Sequence, residues 1–219
     1  MLEKYRVVLQ NSPLFKDVEE NSYSAVLRLL ENRVRSYDKG ETIIKYGDVI
    51  THAGIVIEGS VEGTFLNEGY NEISMSRFSK GMMFGEALAC LETADSPMEV
   101  KALEKTTILF LKLSHLQKTR ENAEFTEILH RNLVMILAMK NAFLNLKVRI
   151  LSQKSLRDKL MMYISSLPKD RNGYHIVTMP LTAVASFLNA NRSALSRELH
   201  RIEEEGLISM NGKNIKIIQ

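Results

Sequence analysis

Residues 181–212 read LTAVASFLNANRSALSRELHRIEEEGLISMNG, and this stretch decides the architecture. Leu181, Val184, Ala185 and Leu188 stand at helical spacing, and Leu195, Leu199 and Ile202 repeat it on a second helix. Asn189-Ala190-Asn191 is a short turn between them. Asn189 tolerates the left-handed conformation such a turn needs, and Asn191 is suited to cap the second helix. Ala185 is small where the two helices have to approach closely. The first turns of the second helix present Arg192, Ser193, Ser196 and Arg197, while Glu203, Glu204 and Glu205 cluster at its far end, before Gly206. Residues 207–210 and 213–218 then read as strands around Asn211-Gly212, the strongest short hairpin signal. Two helices, a tight turn and a hairpin make a winged helix-turn-helix. Its second helix meets base edges with its N-terminal residues. The residues expected on DNA are Asn191, Arg192, Ser193, Ser196 and Arg197, with Lys213 of the wing on phosphate. An arginine can hold guanine O6 and N7 together, whereas a serine contacts several bases weakly.

Charge supports this reading. Residues 141–219 hold 12 Lys+Arg against 6 Asp+Glu, and residues 1–140 hold 17 against 20. Only the back of the chain is poised to meet a polyanion. Upstream of the turn, residues 156–167 read as a helix stopped by Pro168, with residues 169–174 as a turn. Ser155 and Asp158 begin that helix as a capping-box variant.

Further back the period becomes sevenfold. Leu129, Ile136, Phe143 and Ile150 form one series, and Phe125, Asn132, Met139 and Leu146 another. Together they predict a helix of about thirty residues with an a/d seam for a partner helix. These eight residues are the expected dimer interface.

Residues 40–85 contain eight of the eleven glycines. Between them lie short apolar and β-branched runs at 42–44, 53–57, 61–66 and 73–78, with strand signal returning at 98–102 and 106–113. This pattern predicts an antiparallel β region. Residues 23–30 read as a short helix, with Asn21 or Ser22 as its cap. The division expected is a β-roll sensor with N-terminal helices at 1–120, a long helix at 121–152 and a winged helix-turn-helix at 153–219. The fold class is α+β.

The composition is that of a soluble globular chain, 45% hydrophobic and 25% charged. Residues 1–10 carry no apolar targeting core, no run is long enough to span a bilayer, and no membrane partner is expected. The single cysteine, Cys90, excludes an intrachain disulfide and fits a reducing cytoplasm. No nucleophile elbow, phosphate loop, metal-ligand cluster or acid–base constellation points to an enzyme or a metal site. His52, His115 and His130 form no close-spaced pair.

Lys39-Gly40-Glu41, Gly47-Asp48, Ile57-Glu58-Gly59-Ser60-Val61 and Phe84-Gly85-Glu86 lie ahead of the long helix and the winged segment. In that order and spacing the chain resembles the cyclic-AMP receptor protein / fumarate–nitrate regulator (Crp/Fnr) family over essentially its whole length. The resemblance implies a cyclic-nucleotide-binding-like jelly roll, a dimerisation helix and a winged helix-turn-helix. It also implies a homodimer on a pseudo-palindromic DNA site, with RNA polymerase as a further partner. Its effector pocket maps onto Met83, Phe84, Gly85, Glu86, Ala87, Ser96 and Pro97, with Met139 and Asn141 from the helix. Nucleotide-binding relatives carry an Arg and a small hydroxyl residue about ten positions after Gly-Glu, where this chain has Ser96-Pro97. Burying a cyclic phosphate without a cation is costly, so cyclic AMP is not expected. Met75, Met82, Met83, Met98, Met135 and Met139 suggest instead a small, largely apolar effector, or an ordinary core. Relatives also read cytosine with a recognition-helix Glu where this chain has Ser193, which implies a shifted or looser consensus there. Two function classes stay open: a dimeric DNA-binding regulator, or a ligand-binding module acting through protein contacts.

Overall fold

The computed structural model describes residues 5–66, 72–92, 95–118 and 124–218, without the side chains of 66, 72–75, 117 and 118. It divides into two compact units, residues 1–139 and residues 140–219.

The first unit opens with α1 (Arg6–Gln10) and α2 (Tyr23–Leu29). Ser22 precedes α2 but makes no capping hydrogen bond; its hydroxyl donates to Asn21 Oδ1 at 3.3 Å instead. The expected side-chain cap is therefore absent. Among the described residues, eight strands follow: β1 (Arg33–Tyr37), β2 (Thr42–Ile44), β3 (Ala53–Glu58), β4 (Ser60–Leu66), β5 (Glu72–Ser79), β6 (Met83–Phe84), β7 (Glu99–Ala102) and β8 (Thr106–Leu111). They form two four-stranded antiparallel sheets, ordered β1-β8-β3-β6 and β2-β7-β4-β5. This is the jelly-roll-like architecture expected. β3 lies inside its sheet and buries its first five residues, so it reads as an unbroken apolar run rather than an alternation. β1 (RVRSY) is an edge strand in which only Val34 and Tyr37 pack against the core. Their spacing of three gives no strand alternation, and pairing with the backbone edge of β8 makes it a strand. Gly59 turns the chain from β3 into β4 with φ +81. A Cβ there would lie 2.5 Å from Thr106 Oγ1 and 2.6 Å from the Lys105 carbonyl oxygen.

α3 (Glu86–Leu91) stands between β6 and β7, α4 (Ser114–Lys118) follows β8, and then comes α5 (Glu124–Leu151). Leu129, Leu133 and Ile136 of α5 join the core made by Leu9, Phe15, Ile55, Phe84 and Leu109. Asn132 is buried beside them, and its Nδ2 donates to the carbonyls of Leu14 at 2.9 Å and Lys16 at 2.6 Å. A polar side chain in this seam thus holds the chain's own N-terminal segment. The boundary between the compact units falls within α5 rather than at either of its ends.

The second unit contains the end of α5, then α6 (Leu156–Ser166), α7 (Leu181–Phe187), α8 (Arg192–Glu204) and a hairpin of β9 (Ile208–Asn211) and β10 (Asn214–Ile217). The Ser155 hydroxyl accepts from the Asp158 amide at 3.0 Å, so α6 begins with the expected cap. Ile150, Leu160, Ile164, Val184, Leu188, Leu195, Ile202, Ile208 and Ile215 make a separate core. Phe187 is packed on Tyr163 at 5.5 Å and on Phe143 at 5.9 Å between ring centroids, which seats α7.

Candidate nucleic-acid interface

α7 ends at Leu188, and Asn189 takes φ 51. The Ala190 amide reaches back to the Ala185 carbonyl at 2.9 Å, closing the turn. Ala185 and Leu195 are buried where α7 and α8 share the core, which leaves the opposite face of α8 to solvent. The Asn191 carboxamide oxygen accepts from both the Ser193 amide at 2.9 Å and the Ser193 hydroxyl at 2.7 Å. Asn191 therefore spends its oxygen on the cap. Ser193 spends its proton there too, and retains only acceptor lone pairs for a ligand. Arg192 and Arg197 are exposed and Ser196 half-buried, so the structure gathers the predicted residues on one solvent-facing stretch of α8.

The hairpin differs from its sequence reading by one register step. Asn211 pairs with Asn214, so the loop is Gly212-Lys213 rather than Asn211-Gly212. Gly212 has φ 61, and Lys213 is not among the residues of positive φ. A positive φ on the first loop residue alone suits a type II′ loop, not the I′ loop of an Asn-Gly centre. Lys213 consequently stands exposed at the tip.

His175 was not singled out in the sequence, yet it extends this hairpin. Its amide donates to Ile215 O at 2.7 Å and its carbonyl accepts from Ile215 N at 3.1 Å, adding residues around 175 beside β10. The His175 ring is buried, with Nδ1 3.0 Å from the Leu167 carbonyl oxygen. Lys216 Nζ lies 5.7 Å from the Tyr174 ring centroid across the same junction. A lone histidine after a Gly-Tyr turn gives no pattern signal, because its role depends on a backbone pairing forty residues away in sequence.

The expected dimer residues divide between the two units. Leu129, Asn132 and Ile136 are buried by the first unit, and Ile150 by the second. Phe125 and Leu146 are half-buried against those same cores. Only Met139 and Phe143 of the eight are exposed, at 68% and 51%. The other exposed large apolar residues of α5 are Val134, Met135, Leu144 and Val148. The sevenfold series thus marks mainly the side that the chain covers by itself.

The expected effector residues differ in exposure. Met83, Phe84 and Glu86 are buried, whereas Ala87, Pro97, Met139 and Asn141 are exposed. Gly85 takes φ 72 at the start of α3. Ser96 is buried, and its hydroxyl donates to the Met98 carbonyl at 2.7 Å while its backbone pairs with Gly47 and Asp48. Met98 packs against the core, Met82 and Met135 are exposed, and the Met75 side chain lies outside the described residues, as do Thr93 and Ala94. No Lys, Arg or His occurs between Gly81 and Val100. Lys101, the next cation, is paired with Glu99 at 2.7 Å. The predicted pocket residues from Met83 to Pro97 therefore offer no cation of their own to a cyclic phosphate. Of the histidines, His115 Nδ1 is 3.7 Å from Glu31, His52 Nδ1 is 2.8 Å from Thr51 Oγ1, and His130 is exposed. Among the described residues, no helix is long and apolar enough to cross a membrane.

Fold and site together define the class: a jelly-roll domain of cyclic-nucleotide-binding type joined by a long helix to a winged helix-turn-helix. Residues 34–123 match the family described as cyclic nucleotide-binding domain. The chain is 24% identical to the cyclic AMP receptor protein of Thermus thermophilus, over 95% of this chain and 94% of that one. It is 25% identical to the probable transcriptional regulator flp of Lacticaseibacillus casei, over 94% and 91%. The crystal structure of the Thermus thermophilus catabolite activator protein shares the fold, with a TM-score of 0.57, 21% identity and 94% of each chain covered. Over almost its whole length the chain is thus similar to transcriptional regulators of the Crp/Fnr type, and residues 34–123 match their cyclic nucleotide-binding domain.

Proposed function

We propose that this regulator is a homodimer that binds a pseudo-palindromic operator in double-stranded DNA and responds to a small-molecule effector. The observation that carries the reading is the capped, basic start of α8, held between the left-handed Asn189 and a wing tipped by Lys213. Arg192 and Arg197 are placed to meet base edges or phosphates of the major groove. Ser193, restricted to accepting, favours an amino group such as cytosine N4 or adenine N6. It binds that group less strongly than a carboxylate would, which loosens the base preference at that position. Two copies joined through the exposed apolar residues of α5 would match two half-sites about one helical turn apart. An apolar face of this kind on a helix marks an interface. The first unit supplies the sensor, with a small-molecule effector near Met83–Phe84 and Glu86; cyclic AMP is not the expected one. As in the family, RNA polymerase is the further partner.

Fluorescence anisotropy with random duplex DNA across a salt series tests the reading, followed by selection of sites from a random pool. We expect affinity for the selected site to fall roughly 10³-fold or more between 50 and 200 mM salt, as for six or more phosphate contacts. Binding that ignores salt, or no DNA binding at all, would instead favour a module acting through protein contacts. Recovery of the unmodified family half-site would overturn the role given to Ser193.

A further inference from the structure

The far end of α8 is anchored differently from its DNA-facing start. Arg157, near the start of α6, divides its guanidinium between two carboxylates, one on α8 and one on Glu205, the residue that caps the C-terminal end of that helix. Its Nε donates to Glu198 Oε1 at 2.7 Å. Its Nη1 and Nη2 donate to Glu205 Oε2 and Oε1 at 2.6 and 2.8 Å. Glu198 is mostly buried, and Arg201 approaches its second oxygen at 3.5 Å. The guanidinium holds the Glu205 carboxyl below the usual carboxylate range.

Glu198 and Glu205 are seven residues apart, so they lie two turns apart on one side of the helix. A guanidinium is planar, and its donors sit in a fixed fork. A helix held at two such points cannot roll about its axis or tilt against α6 without losing one arm. A second tie acts nearby: Glu203 Oε1 accepts from the Met210 amide at 3.2 Å and fastens α8 to the wing. Glu198 directly follows Arg197, so any roll at the clamp is carried to the residues facing the groove. One residue's step around a helix is about 100°, enough to exchange the side chain that faces a given base.

We infer that Arg157 is a positioning residue that sets the roll of α8, and through it which bases Arg192, Ser193 and Arg197 reach. This rests on the DNA-binding reading above. Arg157 makes no phosphate contact of its own, because both edges of its guanidinium are turned to carboxylates. Its single positive charge also offsets one of the two negative charges of Glu198 and Glu205, and Arg201 stands beside Glu198, which eases the approach of α8 to a polyanion.

Affinities of the full chain for its selected site and for an unrelated duplex, across a salt series, test the clamp. Wild type would be compared with Arg157→Lys, which keeps the charge but loses the fork, and with Glu205→Gln, which loses one charged arm. Thermal melts would monitor folding. For Arg157→Lys we expect the specificity ratio to fall about tenfold, the scale of one mismatched base pair. Binding to the unrelated duplex and the salt slope should stay unchanged, while site selection returns looser preferences at the bases under the first two turns of α8. Glu205→Gln should move the same readouts less far, and it carries the comparison if Arg157→Lys does not fold. A wild-type specificity ratio in both variants would overturn the clamp. A salt slope lowered by about one in Arg157→Lys would also overturn it, by making Arg157 a direct phosphate ligand. A wild-type protein without salt-dependent binding would overturn the DNA reading, and the clamp with it.

Discussion

At the scale of single residues, the two ends of the α7–α8 turn do different work. Asn189 supplies a backbone conformation, and Asn191 supplies a hydrogen bond. Asn191→Ala should therefore cost about 1 kcal/mol in the second unit, read by chemical denaturation. The exposed cations separate by chemistry. Arg197→Ala should cost about 1–3 kcal/mol on the selected site and relax one base preference. Lys213→Ala, at the wing tip, should weaken all sequences alike and lower the salt slope by about 1. Equal effects of both on specific and unrelated DNA would show that α8 reads no bases. In the first unit, Gly59→Ala meets both an unfavourable φ and the Lys105–Thr106 backbone. The φ alone should cost about 1–3 kcal/mol, visible as a lowered melting temperature. Asn189, Asn191 and the glycine turn were legible because their chemistry is local. His175 was not, because its partners are brought to it by the fold.

At the scale of elements, α5 shows what a periodic pattern leaves open. Apolar residues occur around much of its circumference, and a sevenfold count can be drawn through more than one side. Leu129 and Ile136 went to the chain's own core because the N-terminal segment and the sheets cover that side. Met139 and Phe143 remained outside. Substitutions on the two sides should diverge. Leu129→Glu places an unpaired charge in the core and should unfold the first unit, at a cost above about 4 kcal/mol. Met139→Glu should leave the melt nearly unchanged and turn a dimer into a monomer in sedimentation velocity. A monomeric wild type, or a dimeric Met139→Glu, would remove α5's exposed side from the interface. The hairpin carries a similar lesson: Asn-Gly marked the turn, but cross-strand pairing of Asn211 with Asn214 chose which two residues form the loop.

At the scale of the whole molecule, acid should weaken both compact units, in two stages. Burial, aided by Arg33 and Lys112, holds the His52 imidazole below its ordinary value of 6.5. Its neutral form is the folded one, so its contribution is complete above that value and fades as pH falls through the lowered one. The carboxyls of Glu99 and Glu205 are held down by hydrogen bonds from Lys101 and Arg157. Their contributions are present above the ordinary 4.5 and are lost as pH falls below it. Melting temperature followed from pH 7 to pH 3 should therefore decline early through His52 and later through the carboxylates. His52→Gln should remove the early decline and leave the later one. An unchanged early slope in that variant would assign it to another group.

By itself the sequence determined the order of the parts and the chemistry at the contact face of α8. Strand-length runs between glycines, a capped basic helix after an asparagine turn, and a basic back half are patterns of neighbouring residues. Local sterics and hydrogen bonding express them directly. Only the tertiary structure decided which side of α5 is covered, which residues form the wing loop, that His175 joins the wing, and that Arg157 clamps Glu198 and Glu205. Each depends on a contact between segments far apart in the chain. Burial and pairing of that kind are set by which surfaces the fold brings together, and no local period records them.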